Sequence, residues 1–135
     1  MEPREIGSAA VLLIIAATAS MAQEWEPPAT LQATGLYADP AAKRVREDVL
    51  PYTPQYPLWT DGAEKRRFVY LPPGTWIDAS DPDAWRFPVG TRFWKEFGFH
   101  RRPVETRYLE NTAGGWRFAA YVWSDDGSWP TTRRP

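Results

Sequence analysis

The chain has 135 residues, with 16 lysines and arginines against 17 aspartates and glutamates, eight tryptophans and no cysteine. The missing cysteine excludes disulfide stapling, thiolate metal centres, a cysteine nucleophile and covalent c-type haem on this chain. The near balance of charge removes the electrostatic reason to seek nucleic acid, whose binding leans on many phosphate contacts.

The first element in chain order is an uncharged apolar run, Ala9 to Ala17, followed by small residues and Ser20-Met21-Ala22. That layout is the layout of a secretory signal peptide cleaved after Ala22, and it predicts export to the periplasm. An uncleaved anchor and a buried helix are the alternatives, although the run is shorter than the roughly 20 residues a bilayer span needs. Membrane contact is then expected only through this segment if it stays uncleaved. Cleavage would remove Glu2, Arg4 and Glu5, which brings acidic and basic side chains into exact balance.

Residues 23–57 read as an extended arm. Repeated prolines remove backbone donors and fix φ, so long helices and central strands are disfavoured. The step Gly35-Leu36-Tyr37 is expected to be pinned by its apolar side chains, and Ala41 to Arg46 to make a helical turn or two. Residues 58–135 then read as an antiparallel β domain.

Within that domain Arg67 to Leu71 is β-branched and aromatic and is stopped by Pro72-Pro73-Gly74. Thr75-Trp76-Ile77 is a second short candidate, closed by the loop-like run Asp78 to Asp83. In Arg92 to Phe99, Phe93, Phe97 and Phe99 alternate with Trp94, Glu96 and Gly98. In Val104 to Glu110, Val104, Thr106 and Tyr108 face away from Glu105, Arg107 and Leu109. Trp116 to Trp123 is the most hydrophobic stretch and is predicted to be the central strand. Short turns between the last three strands demand antiparallel neighbours, since parallel strands need long crossovers. The predicted fold is therefore an all-β, antiparallel β-sandwich or open barrel of about five to seven strands.

The groups with a claim to a site are Asp61, Glu64, Lys65, Glu96, His100, Glu105 and Arg107. Glu105 and Arg107 lie two apart on one strand face, with Lys95 or Glu96 opposite, an arrangement able to bind a carboxylate or a sugar. Cross-strand ion pairs on a wet sheet face are also commonplace. His100 is the only histidine and sits in a turn between Phe99 and Arg101, which gives no convergent metal ligands. No Gly-x-Ser-x-Gly or phosphate-cradling glycine loop is present. Trp59, Trp85 and Trp129 fall in loops and invite a carbohydrate-binding reading. The ligand-binding candidates are thus Trp59, Asp61, Lys65, Trp85, Glu105 and Arg107, with no catalytic, cofactor or metal residue assigned.

Five ordered blocks carry a family resemblance: Thr34 to Pro40 (TGLYADP), Tyr52 to Thr75 (YTPQYPLWTDGAEKRRFVYLPPGT), Phe87 to Phe99 (FPVGTRFWKEFGF), Val104 to Glu110 (VETRYLE) and Tyr121 to Ser128 (YVWSDDGS). Together they resemble the N-terminal β-rich region of a family of exported bacterial c-type cytochrome proteins, some of them diheme. In that family a segment with Cys-x-x-Cys-His follows this region. The resemblance implies an accessory role in electron transfer, with haem c on a missing or separate segment and a c-type cytochrome as partner. No haem ligand carries over to a chain without cysteine. The expectation is a non-enzymatic module, truncated after the Ser124 to Ser128 turn. A periplasmic binding module for a sugar or cell-wall polymer, using Trp59, Trp85 and Trp129, is the alternative. A hydrolase built on Asp61, Glu96 and Glu105 ranks third.

Overall fold

The computed structural model describes residues 24–56, 58–126 and 128–130, so the apolar run expected to be a signal peptide lies outside the described residues. Among those residues the fold is all-β and antiparallel, as predicted, with a single 3-10 turn at Gln32–Thr34 and seven strands. Strands β1 (Tyr37–Asp39) and β2 (Arg44–Val45) form a small two-stranded sheet. Strands β3 (Val49–Pro51), β4 (Glu64–Tyr70), β5 (Arg92–Phe99), β6 (Arg102–Thr112) and β7 (Gly115–Val122) form a meander in which sequence order is also spatial order.

The meander follows from local chemistry. Each long strand alternates side chains between two faces, and each pair is joined by a tight turn or a loop that returns the chain beside itself. His100 and Arg101, with φ of 50° and 62°, form the two-residue turn between β5 and β6, the geometry that matches the twist of a hairpin. Beyond Phe97 the register slips by one residue. Gly98 is required there, because a Cβ at that position would lie 2.7 Å from the Arg102 carbonyl oxygen.

One face of the large sheet carries the core. Phe68, Trp94, Tyr108 and Ala119 stand opposite one another across β4 to β7, and Thr106 faces Tyr121 in the next row. Residues 24–48 lie across this face and add Leu31, Leu36 and Tyr37 to the buried cluster, which Val49 joins from β3. Aromatic N–H and O–H groups fasten the layers. Trp94 Nε1 donates to Thr34 Oγ1 at 2.9 Å, and the Tyr121 hydroxyl donates to the Pro28 carbonyl at 2.7 Å. Buried indole and phenol groups need such partners, and here the partners come from the covering segment. Residues 128–130 complete the layer, with Trp129 edge-on to Tyr37 and tilted against Trp123.

The described part of the segment read as an extended arm supplies the covering layer and, through β3, pairs with β4 from Phe68 to Tyr70. Three expectations are corrected. Residues 40–43 make a turn that leads into β2, with no helical turn between Ala41 and Arg46. Thr75 to Ile77 is a loop, since nothing pairs with it beyond the single bridge of Asp78 to Arg86. Strand β7 is an edge strand rather than the central one: its apolar character comes from having hydrophobic side chains on both faces, one of them uncovered.

Candidate functional site

The uncovered face of the sheet is built in register from β3 to β7. One row holds Leu50, Val69, Phe93, Leu109 and Phe118. The next holds Arg67, Lys95, Arg107 and Ala120, and a third Lys65, Phe97, Glu105 and Val122. At one end the loop between β4 and β5 folds back, and Phe87 sits edge-on to both Phe93 and Trp116. Asn111 Nδ2 holds that loop by donating to the Phe87 and Pro88 carbonyls. The remainder of the face is open, with Phe118 67% and Leu50 57% exposed.

Charge on this face is uneven. Arg107 pairs with Glu105 two residues along its own strand. Arg67 and Lys95 have no carboxylate partner among the described ion pairs. Lys95 Nζ and the Arg107 guanidinium each lie 4.7 Å from the Phe97 ring centroid, so one aromatic ring supports two cations. Burial, and then the neighbouring Arg67, Lys65 and Arg107, push the Lys95 ammonium below its usual range.

A second concave region lies at the β5–β6 hairpin end, where hollows of about 550 and 300 Å³ adjoin and share Lys43, Arg101, Arg102 and Pro103. The floor of the smaller one is Glu96, buried on the core face. Tyr37 donates its hydroxyl to Glu96 Oε2 at 3.0 Å, and Arg66 pairs with Oε1 at 3.3 Å. Burial, reinforced by the adjacent Glu96, raises the Tyr37 phenol far above its usual value, so it stays protonated and donating. Both oxygens of Glu96 are therefore engaged by neighbours that tie the covering layer to the sheet. Among the described residues no group of three or more His, Cys, Asp or Glu side chains is placed to hold a metal ion.

The predicted site residues divide between these regions and the loops. Lys65, Glu105 and Arg107 share the open face, as alternation required, although Lys65 also donates to the Leu58 carbonyl. Lys95 stands opposite Arg107, while Glu96 faces Thr106 on the other side of the sheet, which separates it from Glu105. Asp61 occupies an exposed turn at φ 37°. Trp59 is 82% exposed and Trp85 is 55% exposed. Trp129 is withdrawn as an exposed ligand platform because it packs between Tyr37 and Trp123.

Topology keeps the exposed tryptophans apart. Trp59 precedes β4, whereas Trp85 follows it in the loop to β5, so the two lie beyond opposite ends of a strand roughly 20 Å long. Sequence reasoning missed Trp76, 77% exposed in the same loop as Trp85, by assigning it to a strand. It also missed the alignment of Arg67 with Lys95 and Arg107: alternation assigns each a face of its own strand, and only register sets them opposite one another.

Comparison with models of protein families, with curated proteins and with solved structures found no match. The cytochrome resemblance accordingly rests on the five sequence blocks.

Proposed function

We propose that this chain is a non-enzymatic, exported accessory domain that docks through the open face of its sheet, and that its partner is a c-type cytochrome segment or protein of the periplasm. The observation that carries the docking reading is the one-sided cover of the sheet. Among the described residues, 24–48 and 128–130 cover one face, while on the other Leu50 and Phe118 stand exposed at the two ends of the row through Val69, Phe93 and Leu109, and Val122 is exposed in a separate row. Exposed patches of that kind mark interaction surfaces. The five-block resemblance supports a cytochrome partner, and in this reading haem c and electron transfer belong to that partner. Structural roles account for the Glu96 network, whose two oxygens are committed to Tyr37 and Arg66.

The test is capture from periplasmic extract with the exported protein as bait, followed by haem staining. A haem-bearing band retained by the native chain and lost in the double variant Leu50→Asp/Phe118→Asp, with the far-UV spectrum unchanged, is the expected result. Retention by the double variant, or no haem protein at all, overturns the reading.

A second reading, glycan binding, is favoured by the exposure of Trp59, Trp76 and Trp85. Because Trp59 is remote from the other two, a single stacked sugar site would use Trp76 and Trp85. Fluorescence quenching by soluble cell-wall fragments that disappears in Trp76→Ala/Trp85→Ala, and persists in Trp59→Ala, would establish it. Unchanged fluorescence with every fragment would remove it.

A further inference from the structure

The register of the sheet places three cations side by side on the open face. Arg67 is opposite Lys95, and Lys95 is opposite Arg107, across β4, β5 and β6. Adjacent strands are about 4.8 Å apart, so the row spans roughly 10 Å. Like charges directly opposite in a sheet destabilise it, and here two such pairs stand in one row. Glu105 offsets only the Arg107 end. The row is not a by-product of a strongly basic chain, because the whole protein carries a formal charge of −1.

We propose that this cationic row is a recognition element for a protein surface presenting a matching row of carboxylates bordered by apolar side chains. The proposal rests on the docking reading above and names the chemistry of the occupant. Charge complementarity selects it: the row through Val69, Phe93, Leu109 and Phe118 flanks the cations on one side, and on the other Phe97 and Val122 alternate with Lys65 and Glu105. A partner must therefore offer acids and hydrophobic groups together. A second copy of this chain is disfavoured on the same face, since stacking two such sheets would bring two cation rows together in a desolvated interface. Nucleic acid is disfavoured because binding needs many phosphate contacts, whereas the row offers three. The Phe97 ring, contacted by both Lys95 and Arg107, holds those two cations in place before any partner arrives, which lowers the ordering cost of binding. Burial first, and then the neighbouring Arg67, Lys65 and Arg107, hold the Lys95 ammonium below its usual range.

The test uses the full protein, isotopically labelled, and four probes: a synthetic peptide of Glu-Glu-Leu-Phe repeats, the same peptide with Lys for Glu, phosphatidylglycerol vesicles and a single-stranded oligonucleotide. The acidic peptide is expected to shift resonances of Arg67, Lys95, Phe97, Arg107 and Phe118, and to bind at least ten-fold more weakly in Lys95→Glu or when salt rises from about 50 to 300 mM. Arg44→Gln, an exposed cation remote from this face, should leave binding unchanged. Lys95→Gln should weaken binding several-fold while raising the urea midpoint, a combination that a merely structural lysine would not produce. Stronger binding to the vesicles or the oligonucleotide than to the acidic peptide, equal binding to the basic peptide, or self-association through this face in sedimentation would each overturn the proposal. The haem-protein capture separates the two failures. Loss in Leu50→Asp/Phe118→Asp but not in Lys95→Glu leaves the docking face standing and defeats its acidic specificity, whereas loss in neither defeats the docking reading itself.

Discussion

At the residue scale, the side chains that hold the two layers together are polar tips on large aromatic bodies. Trp94, Tyr37 and Tyr121 each bury a ring and direct one donor across the layers, while Trp123 donates to Thr106 within the sheet. Removing a partner from such a pair costs more than the bond contributes, because the orphaned group remains buried. Tyr37→Phe should therefore lower stability by roughly 1–3 kcal/mol in urea titrations at neutral pH, through the loss of the donor to Glu96. The same residue sets an alkaline limit. Burial raises the folded-state pKa of Tyr37, and that of Tyr108, above the ordinary 10.0. A raised pKa means that the folded state holds its proton more tightly than the unfolded chain. The associated stability is complete below about pH 10 and is lost as pH rises from there toward the folded value. Unfolding midpoints measured between pH 8 and 11 should fall steeply above 10 in the native chain, and less steeply in Tyr37→Phe. A flat profile would contradict the buried phenols.

At the element scale, the β5–β6 hairpin turns through two residues that both have side chains in the left-handed region, where Asn-Gly is the favoured pair. Left-handed backbone costs a non-glycine residue roughly 1–2 kcal/mol. The double substitution His100→Asn/Arg101→Gly should accordingly stabilise the domain by about 1 kcal/mol, seen as a higher urea midpoint with an unchanged slope. A lower midpoint would mean that the two side chains contribute more to the hairpin end than their backbone strain takes away. This turn also shows how far elements could be read from the chain. Strands β4 to β7 were legible from alternation and from the turns between them, because both are local. The place of β7 was not. Trp116, Phe118 and Val122 made it look like the central strand, whereas among the described strands it pairs with β6 alone and keeps Phe118 exposed. Thr75 to Ile77 failed as a strand because β propensity needs a partner, and among the described residues none pairs with it.

At the scale of the whole molecule, stability depends on a cover drawn from the start of the described chain. Leu31 and Leu36 are fully buried between that cover and the sheet. Leu36→Ala should cost about 2–5 kcal/mol and diminish the near-UV signal of the tryptophans as the layers loosen. A loss below 1 kcal/mol in chemical denaturation would show that residues 24–48 contribute little to the core. The candidate site follows the same division. Glu105 and Arg107 were found from a two-residue spacing within β6, which any strand must honour. Arg67 and Lys95 lie 28 positions apart and meet only through register.

The sequence by itself determined the all-β class, the antiparallel meander and the sides on which most strand residues point. Those properties follow from a period of two and from short connections, which act over a few residues. Tertiary structure alone decided which face is covered, that Trp129 is packed while Trp59 and Trp76 are exposed, and that three cations align on the open side. Each of these depends on contacts between segments distant in the chain: Tyr37 with Glu96, Thr34 with Trp94 and Pro28 with Tyr121 are separated by 59, 60 and 93 positions. Burial and register at that range are set by the packing of the whole domain, and no local pattern encodes them.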